Sequence, residues 1–278
     1  MREEMPAERP GARRRRAAGS GRPPRPAPLA SWPDLRALVE AQALLLSAPG
    51  AGASALCDVC RGPRRPGGPR CFPCDLHVQC ANGSLADVVV PVAFAVKGDP
   101  HARRLWQYKS ATLPAAARAG PAATLRALLL VFLREHGACL WRAAGIAGPT
   151  RLAVVPTGRS RPGVHPLRAL IEDYLALPWA DLAVRPGGIQ VRDLDPERFS
   201  ARPLPGARVL LIDDTWTTGS SVQSAATALR RAGASSVVTI VLGRHVGRAD
   251  AAAAGIGSAS MPYRLDSCAV HNEHSATR

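Results

Sequence analysis

The stretch Val209–Ser221, VLLIDDTWTTGSS, decides the fold. Val209–Ile212 is uniformly apolar, which is typical of a parallel strand that is buried on both faces. Asp213 and Asp214 follow at the predicted carboxyl end of this strand, and such ends form the edge where open α/β sheets bind ligands. A helix is predicted to begin near Ser220, directly behind the two carboxylates.

The loop between the aspartates and this helix has the composition of a phosphate site. A helix N-terminus offers unpaired N–H groups and a partial positive charge. Gly219 permits close approach of the backbone, and the neighbouring hydroxyl groups can donate to phosphate oxygens. A capped strand end would explain one aspartate and one hydroxyl group, but not the whole string. The predicted phosphate-binding residues are Thr217, Thr218, Gly219, Ser220 and Ser221.

The two aspartates suit a sugar that is attached to that phosphate. Carboxylates accept hydrogen bonds, so Asp213 and Asp214 could hold the vicinal 2′ and 3′ hydroxyl groups of a ribose 5′-phosphate. They could also orient the hydration shell of a Mg2+ ion.

Apolar runs alternate with helical patterns along the rest of the chain, which predicts an α/β fold whose parallel sheet is flanked by helices. Leu85–Gly98 reads as a strand broken by Pro91, and Leu152–Val155 reads as a buried strand. Pro121–Gly137 is a strongly apolar helix that we expect to end at Gly137. Asp195–Ala207 reads as a polar connection.

Four of the seven cysteines form a cluster with the spacing of a metal site. Cys57 and Cys60 make one C-x-x-C pair, and Cys71 and Cys74 make a second after ten intervening residues. Two such turns can supply a closed tetrahedral S4 site for structural Zn2+, within a small zinc-ribbon-like module. A redox pair or disulfides are the competing interpretations, and His77 and Cys80 are alternative ligands.

The remaining cysteines give weaker patterns. Cys139 lies in the apolar helix and is interpreted as a small buried hydrophobic residue. Cys268 precedes His271 and His274 at three-residue steps, which fits either a second metal site or an incidental spacing near the end of the sequence.

The chain of 278 residues carries a formal net charge of +15. This excess favours anionic partners such as phosphorylated metabolites, nucleic acid or an acidic protein. Residues 1–30 are rich in Arg, Pro and Gly, so we expect a disordered basic tail that is solvated or contacts nucleic acid weakly. Because neither an export signal nor a membrane span is evident, a cytoplasmic location is expected.

VLLIDDTWTTGSS resembles the phosphoribosyl-pyrophosphate (PRPP) signature of type I phosphoribosyltransferases. The four-cysteine cluster and the segment RRLWQYKS (Arg103–Ser110) resemble the ComF-like branch of that family. The resemblance implies that Asp213 and Asp214 are catalytic residues that bind the ribose hydroxyls, that the loop behind them binds the 5′-phosphate, and that Mg2+ accompanies PRPP. It implies a pyrophosphate site made of Thr157, Gly158, Arg159, Ser160, Arg161 and Lys109.

Two functions remain open at this point. The first is Mg2+-dependent transfer of a phosphoribosyl group to a nitrogen acceptor with release of pyrophosphate, for which His165 and Asp214 are weak candidates as general base. The second, which the ComF-like resemblance implies, is a PRPP-binding fold without turnover that acts in DNA uptake or nucleic-acid handling. The predicted units are a basic tail (1–30), a helix (31–55), the zinc module (56–82) and a phosphoribosyltransferase-like domain (83–270).

Overall fold

A parallel sheet flanked by helices forms the centre of the computed structural model of the chain. The structure describes residues 30–50, 55–81, 83–157, 164–186 and 193–270. Its helices are α1 (Trp32–Glu40), α2 (Phe72–Cys80), α3 (Pro100–Gln107), α4 (Ala115–Ala143), α5 (Pro166–Ile171), α6 (Ser220–Arg231) and α7 (Arg248–Ala253). Its strands are β1 (Val88–Val96), β2 (Arg151–Val154), β3 (Leu182–Val184), β4 (Phe199–Ala201), β5 (Arg208–Trp216) and β6 (Ser236–Val246).

The main sheet has the strand order β1-β6-β5-β2, and its strands are all parallel. On one side of β5 the pairing with β6 extends to Trp216, whereas on the other side the pairing with β2 ends at Ile212. The strand therefore continues past its shorter neighbour. Asp213 and Asp214 lie within this extension rather than after the strand, and they line an open edge of the sheet.

Helices cover both faces of the sheet, as the uniformly apolar strands predicted. Leu210 and Ile212 of β5 belong to a buried cluster that includes residues of α1, α3, α4 and α5. Val209 and Leu211 point the other way, into a cluster with the apolar face of α6 and the four cysteines of the N-terminal region. The cysteine cluster thus shares a core with the helix that follows the predicted phosphate loop.

Pro91 does not interrupt its strand, contrary to the sequence-based prediction. β1 continues from Val88 to Val96, and Pro91 is paired in register with Val241 of β6. Because β1 is at the edge of the main sheet, it is the kind of strand in which a proline is tolerated.

Gly137 likewise does not end its helix, so this prediction was wrong. α4 continues to Ala143, and Gly145, with φ +66°, follows the C-cap in the left-handed conformation that commonly ends helices. Gly137 is a buried interior residue, and a Cβ there would sit 3.4 Å from the indole nitrogen of Trp141. A glycine inside a helix costs about 1 kcal/mol, which the packing of this long helix against the sheet offsets.

The predicted polar connection Asp195–Ala207 contains a strand. Phe199–Ala201 forms β4, which pairs in antiparallel register with Leu182–Val184. Phe199 is fully buried in the cluster on the α6 face. Tertiary packing of this single aromatic residue therefore outweighs the polar and proline-rich composition of the segment.

Among the described residues, α4 is the helix with the length and apolarity of a membrane span. Core helices of globular proteins pass the same test. Leu125, Leu128 and Leu129 of α4 are completely buried against the sheet and the neighbouring helices, as expected for a core helix.

Candidate functional site

The two aspartates leave β5 on opposite sides, because successive residues of a strand point to opposite faces. Asp214 is buried, and its Oδ2 accepts hydrogen bonds from the Tyr108 hydroxyl group and from Lys109 Nζ, the latter over 2.6 Å. Asp213 is half-buried, and its Oδ1 accepts a hydrogen bond of 2.8 Å from the backbone N–H of Asp214. The pair is therefore held in place before any ligand binds.

Lys109 and Tyr108 reach this edge from the segment that follows α3. Lys109 was predicted as a pyrophosphate ligand. Its ammonium group forms an ion pair with Asp214, and its side chain is partly exposed to solvent. The role of Lys109 toward pyrophosphate stays a prediction. Tyr108, which was not among the predicted site residues, has a buried hydroxyl group that donates to Asp214 and orients it.

Asp213 has a strongly perturbed acidity. Burial raises the pKa of its carboxyl group from 3.8 to about 8, and the negative charge of Asp214 acts in the same direction. The positive charges of Lys109 and Arg198 oppose the shift without cancelling it. A cation bound near these carboxylates would offset their repulsion and favour the ionised form of Asp213.

The predicted phosphate loop leads into α6 through a glycine in the left-handed conformation. Gly219 is the N-cap of α6 and has φ +87°, a conformation that L-residues with side chains rarely adopt. The hydroxyl groups of Thr218 and Ser220 lie 3.1 Å apart. The side chain of Trp216 is fully buried against Gly219, so the loop packs on its indole ring.

Arg198 was not predicted from the sequence, yet its side chain contacts the predicted phosphate loop. It comes from the turn just before β4, is 6% exposed, and its Nη1 donates to Ser221 Oγ over 2.9 Å. Its guanidinium group also stacks over Phe199 at 5.0 Å from the ring centroid. A buried guanidinium group next to a helix N-terminus is a strong anion ligand. Its surroundings in the sequence, DPERFSARP, carry no recognisable signal for such a role.

The predicted pyrophosphate loop follows β2. Thr157 is described and exposed, whereas Gly158, Arg159, Ser160 and Arg161 lie outside the described residues. His165 is the N-cap of α5, and its Nδ1 accepts a hydrogen bond from the backbone N–H of Leu167 over 3.2 Å. This capping bond occupies the ring nitrogen and disfavours His165 as a general base.

The four predicted zinc ligands come together. The sulfur atoms of Cys57, Cys60, Cys71 and Cys74 all lie within 4.8 Å of one another and are buried. None of the seven cysteines, all among the described residues, is in a disulfide bond. His77 and Cys80 do not belong to this group of potential ligands among the described residues.

The chemistry of this cluster suits a metal ion. Hydrogen bonds among the sulfurs lower the pKa of Cys57, chiefly through Cys60, and raise that of Cys74, chiefly through Cys57. Four buried sulfurs at this separation fit tetrahedral Zn2+ with Zn–S distances of about 2.3 Å. The cluster offers four sulfur ligands that lie close enough together to hold such an ion.

No protein-family model matches the chain, and no curated protein matches it. The chain is similar to a solved structure described as the allosteric regulatory enzyme of purine biosynthesis, with a TM-score of 0.26 and 18% identity, covering 39% of this chain and 24% of that one. It is also similar to purine phosphoribosyltransferase from Pyrococcus horikoshii Ot3, with a TM-score of 0.26 and 16% identity, covering 42% of this chain and 88% of that one.

Proposed function

We propose that the protein binds PRPP with Mg2+ and transfers its phosphoribosyl group to a nitrogen acceptor, as a member of the ComF-like branch of phosphoribosyltransferases. One observation carries this proposal. Asp213 and Asp214 stand at the open end of β5, and a single loop separates them from the N-terminus of α6. An acidic pair for a diol and an anion site for a phosphate are therefore adjacent, as a ribose 5′-phosphate requires.

In this proposal the 5′-phosphate binds at the start of α6. The backbone N–H groups of the first turn and the guanidinium group of Arg198 supply the positive potential. The side-chain hydroxyl groups of the loop donate hydrogen bonds to the phosphate oxygens. The residues of this subsite are Thr217, Thr218, Gly219, Ser220 and Ser221.

The ribose hydroxyls and Mg2+ belong to the acidic end. Carboxylate oxygens are the ligands that Mg2+ prefers, and Asp213 and Asp214 present them beside the space that the sugar would occupy. When bound, the ion neutralises the charge of the leaving pyrophosphate. Lys109, together with Thr157, Gly158, Arg159, Ser160 and Arg161, is the proposed partner of the pyrophosphate.

The proposed reaction is a displacement at C1 of the ribose. The bond from C1 to the pyrophosphate oxygen breaks, and its electron pair leaves with pyrophosphate. The nitrogen of the acceptor forms the new bond to C1 and releases its proton to water. Because positive charge develops on the sugar in between, the fixed carboxylates of Asp213 and Asp214 stabilise it, and positioning supplies most of the remaining catalysis.

The four cysteines are proposed to hold a structural Zn2+. Their sulfurs pack in the same buried cluster as Trp216 and Val222, so a metal there would stiffen the base on which the phosphate loop rests. A metal with four protein ligands leaves no position for a reacting water, which assigns it to structure rather than to catalysis.

Calorimetric titration of PRPP with Mg2+ tests the binding proposal. We expect saturable binding by the wild type and its loss in the variant Asp213→Asn/Asp214→Asn. Asp181→Asn is the matched control, since Asp181 is an exposed carboxylate that pairs with Arg202 on the surface. If the double variant binds PRPP as tightly as the control, the acidic pair is not the ribose site and the proposal fails.

A non-catalytic role in nucleic-acid handling is the second candidate, favoured by the net charge of +15 and by the zinc module. A panel of nitrogenous bases assayed for pyrophosphate release separates the two functions. Turnover with any base supports the enzyme. PRPP binding without pyrophosphate release, together with salt-dependent binding of single-stranded DNA, favours the second candidate.

A further inference from the structure

A second group of metal-ligating side chains lies on the other side of the sheet from the four cysteines. His136 and Cys139 of α4 meet Cys268 of the C-terminal segment, and one ligand atom of each lies within 4.8 Å of the other two. The sequence suggested Cys268 with His271 and His274, but these histidines lie outside the described residues. Cys139, which was interpreted as a buried hydrophobic residue, is half-exposed and is a member of this trio.

The spacing along α4 and the packing of the C-terminal segment bring these three groups together. His136 and Cys139 are three residues apart on α4 and therefore share one face of the helix. Cys268 is buried and packs, with Ala269 and Val270, in the core cluster to which α4 contributes. The approach of the C-terminal segment to α4 thus brings the third ligand to the pair.

A backbone carbonyl group holds one ring nitrogen of His136. Its Nε2 lies 2.9 Å from the carbonyl oxygen of Leu265. Since a carbonyl oxygen only accepts, Nε2 carries the proton and Nδ1 holds the lone pair. Metal-binding histidines almost always donate their other ring N–H in this way, to a carbonyl or a carboxylate. The ring of Phe132, with its centroid 5.1 Å away, packs against the imidazole and fixes its tilt.

We propose that His136 Nδ1, Cys139 Sγ and Cys268 Sγ bind a second Zn2+ ion. Two thiolates and one imidazole are ligands that Zn2+ favours, and ligand atoms of a tetrahedral zinc site lie roughly 3.5–3.8 Å apart, given Zn–S and Zn–N distances of about 2.3 and 2.1 Å. Binding releases the two thiol protons. The two thiolates then offset the charge of the ion, so the site is neutral, as its largely apolar surroundings require.

The fourth position of this site is assigned to water. Cys139 is half-buried rather than fully buried, so a water molecule is the expected ligand on its side. The expected role of the ion is to hold the C-terminal segment on α4. Two residues of this segment reach α4: the carbonyl oxygen of Leu265 accepts from His136, and Cys268 lies beside His136 and Cys139. This site is independent of the PRPP proposal.

Zinc content of the full chain, measured by elemental mass spectrometry after dialysis against metal-free buffer, tests the proposal. We expect two zinc ions per wild-type chain and one in Cys139→Ser/Cys268→Ser. Cys80→Ser is the matched control, because Cys80 is exposed and belongs to neither group, and it should retain two. A double variant that retains as much zinc as the wild type would overturn the proposal.

A second variant covers the case in which the double serine variant fails to fold. His136→Gln keeps both thiols and much of the side-chain volume, and it should also bind one zinc ion. Alkylation of the denatured, unreduced protein followed by intact mass measurement gives an independent result. Seven modified thiols are expected once the metal is removed. Five would indicate one disulfide, and peptide mapping that places it between Cys139 and Cys268 would overturn the zinc assignment.

Discussion

Arg244 joins the cysteine cluster to the predicted phosphate loop. Its Nε donates to Cys60 Sγ over 3.3 Å, and its Nη1 donates to the carbonyl oxygens of Trp216 and Thr217 over 3.3 and 3.1 Å. The side chain comes from β6 and is 6% exposed. One buried guanidinium group therefore donates both to a sulfur of the four-cysteine cluster and to the backbone on which the loop is built.

Arg244→Met should destabilise the protein and weaken ligand binding together. Methionine keeps much of the volume but leaves the carbonyl groups of Trp216 and Thr217 without their buried donor, at a cost of roughly 1–3 kcal/mol for each unsatisfied group. Urea unfolding should show a loss of at least about 2 kcal/mol, and calorimetry should show weaker PRPP binding. Arg248→Met is the control, since Arg248 is exposed and donates to Lys97 O on the surface. Equal losses in both variants would contradict the coupling.

Gly219→Ala should be far more damaging than Gly206→Ala. Both glycines have positive φ, +87° and +67°, so both substitutions carry backbone strain of order 1 kcal/mol. At Gly219 the added Cβ would also fall inside the contact distance of the Trp216 indole, whereas at Gly206 it meets open space. Urea unfolding of the two variants isolates this difference, which we expect to exceed about 1 kcal/mol. PRPP binding should be lost only in Gly219→Ala, and similar behaviour of the two variants would count against this account of the loop.

The parts of the fold that local chemistry dictates were predictable from the sequence. The apolar run before Asp213 indicated a buried parallel strand, and β5 lies between β6 and β2 in the parallel sheet. The spacing of the four cysteines indicated their convergence. In each case the determining residues lie within one short stretch of the sequence, so the sequence pattern carries them.

Features that depend on distant neighbours were not predictable in the same way. Gly137 and Pro91 are local breaking signals, but packing of α4 and the edge position of β1 override them. Arg198 reaches Ser221 only because β4 packs beside α6, and the His136–Cys139–Cys268 group exists only because the C-terminal segment returns to α4. No pattern of spacing marks such encounters.

Arg198→Gln should weaken binding of the 5′-phosphate without unfolding the protein. The substitution removes a charge-assisted donor, which is worth roughly 1.5–3 kcal/mol, so the Kd for ribose 5-phosphate or PRPP should rise about 10- to 100-fold. Arg185→Gln is the matched control, because Arg185 lies just after β3 and pairs with Glu197 at the surface. Calorimetry with both ligands checks the effect. An unchanged Kd for ribose 5-phosphate in Arg198→Gln would remove this residue from the phosphate site.

The raised pKa of Asp213 should make stability and metal binding respond to pH in opposite directions. Without metal, the folded chain keeps a proton on this carboxyl group up to about pH 8, whereas the unfolded chain releases it near pH 3.8. The folded state thus binds the extra proton in this window, so its contribution to stability is complete below about pH 4 and is lost as the pH rises through 8. Mg2+–PRPP requires the ionised carboxylate, so its affinity should increase over the same range, with release of a proton.

Asp213→Asn should remove both dependences, and Asp181→Asn should retain them, in urea unfolding and calorimetry at a series of pH values. A wild-type affinity that falls as the pH rises toward 8 would show that Asp213 does not hold this proton.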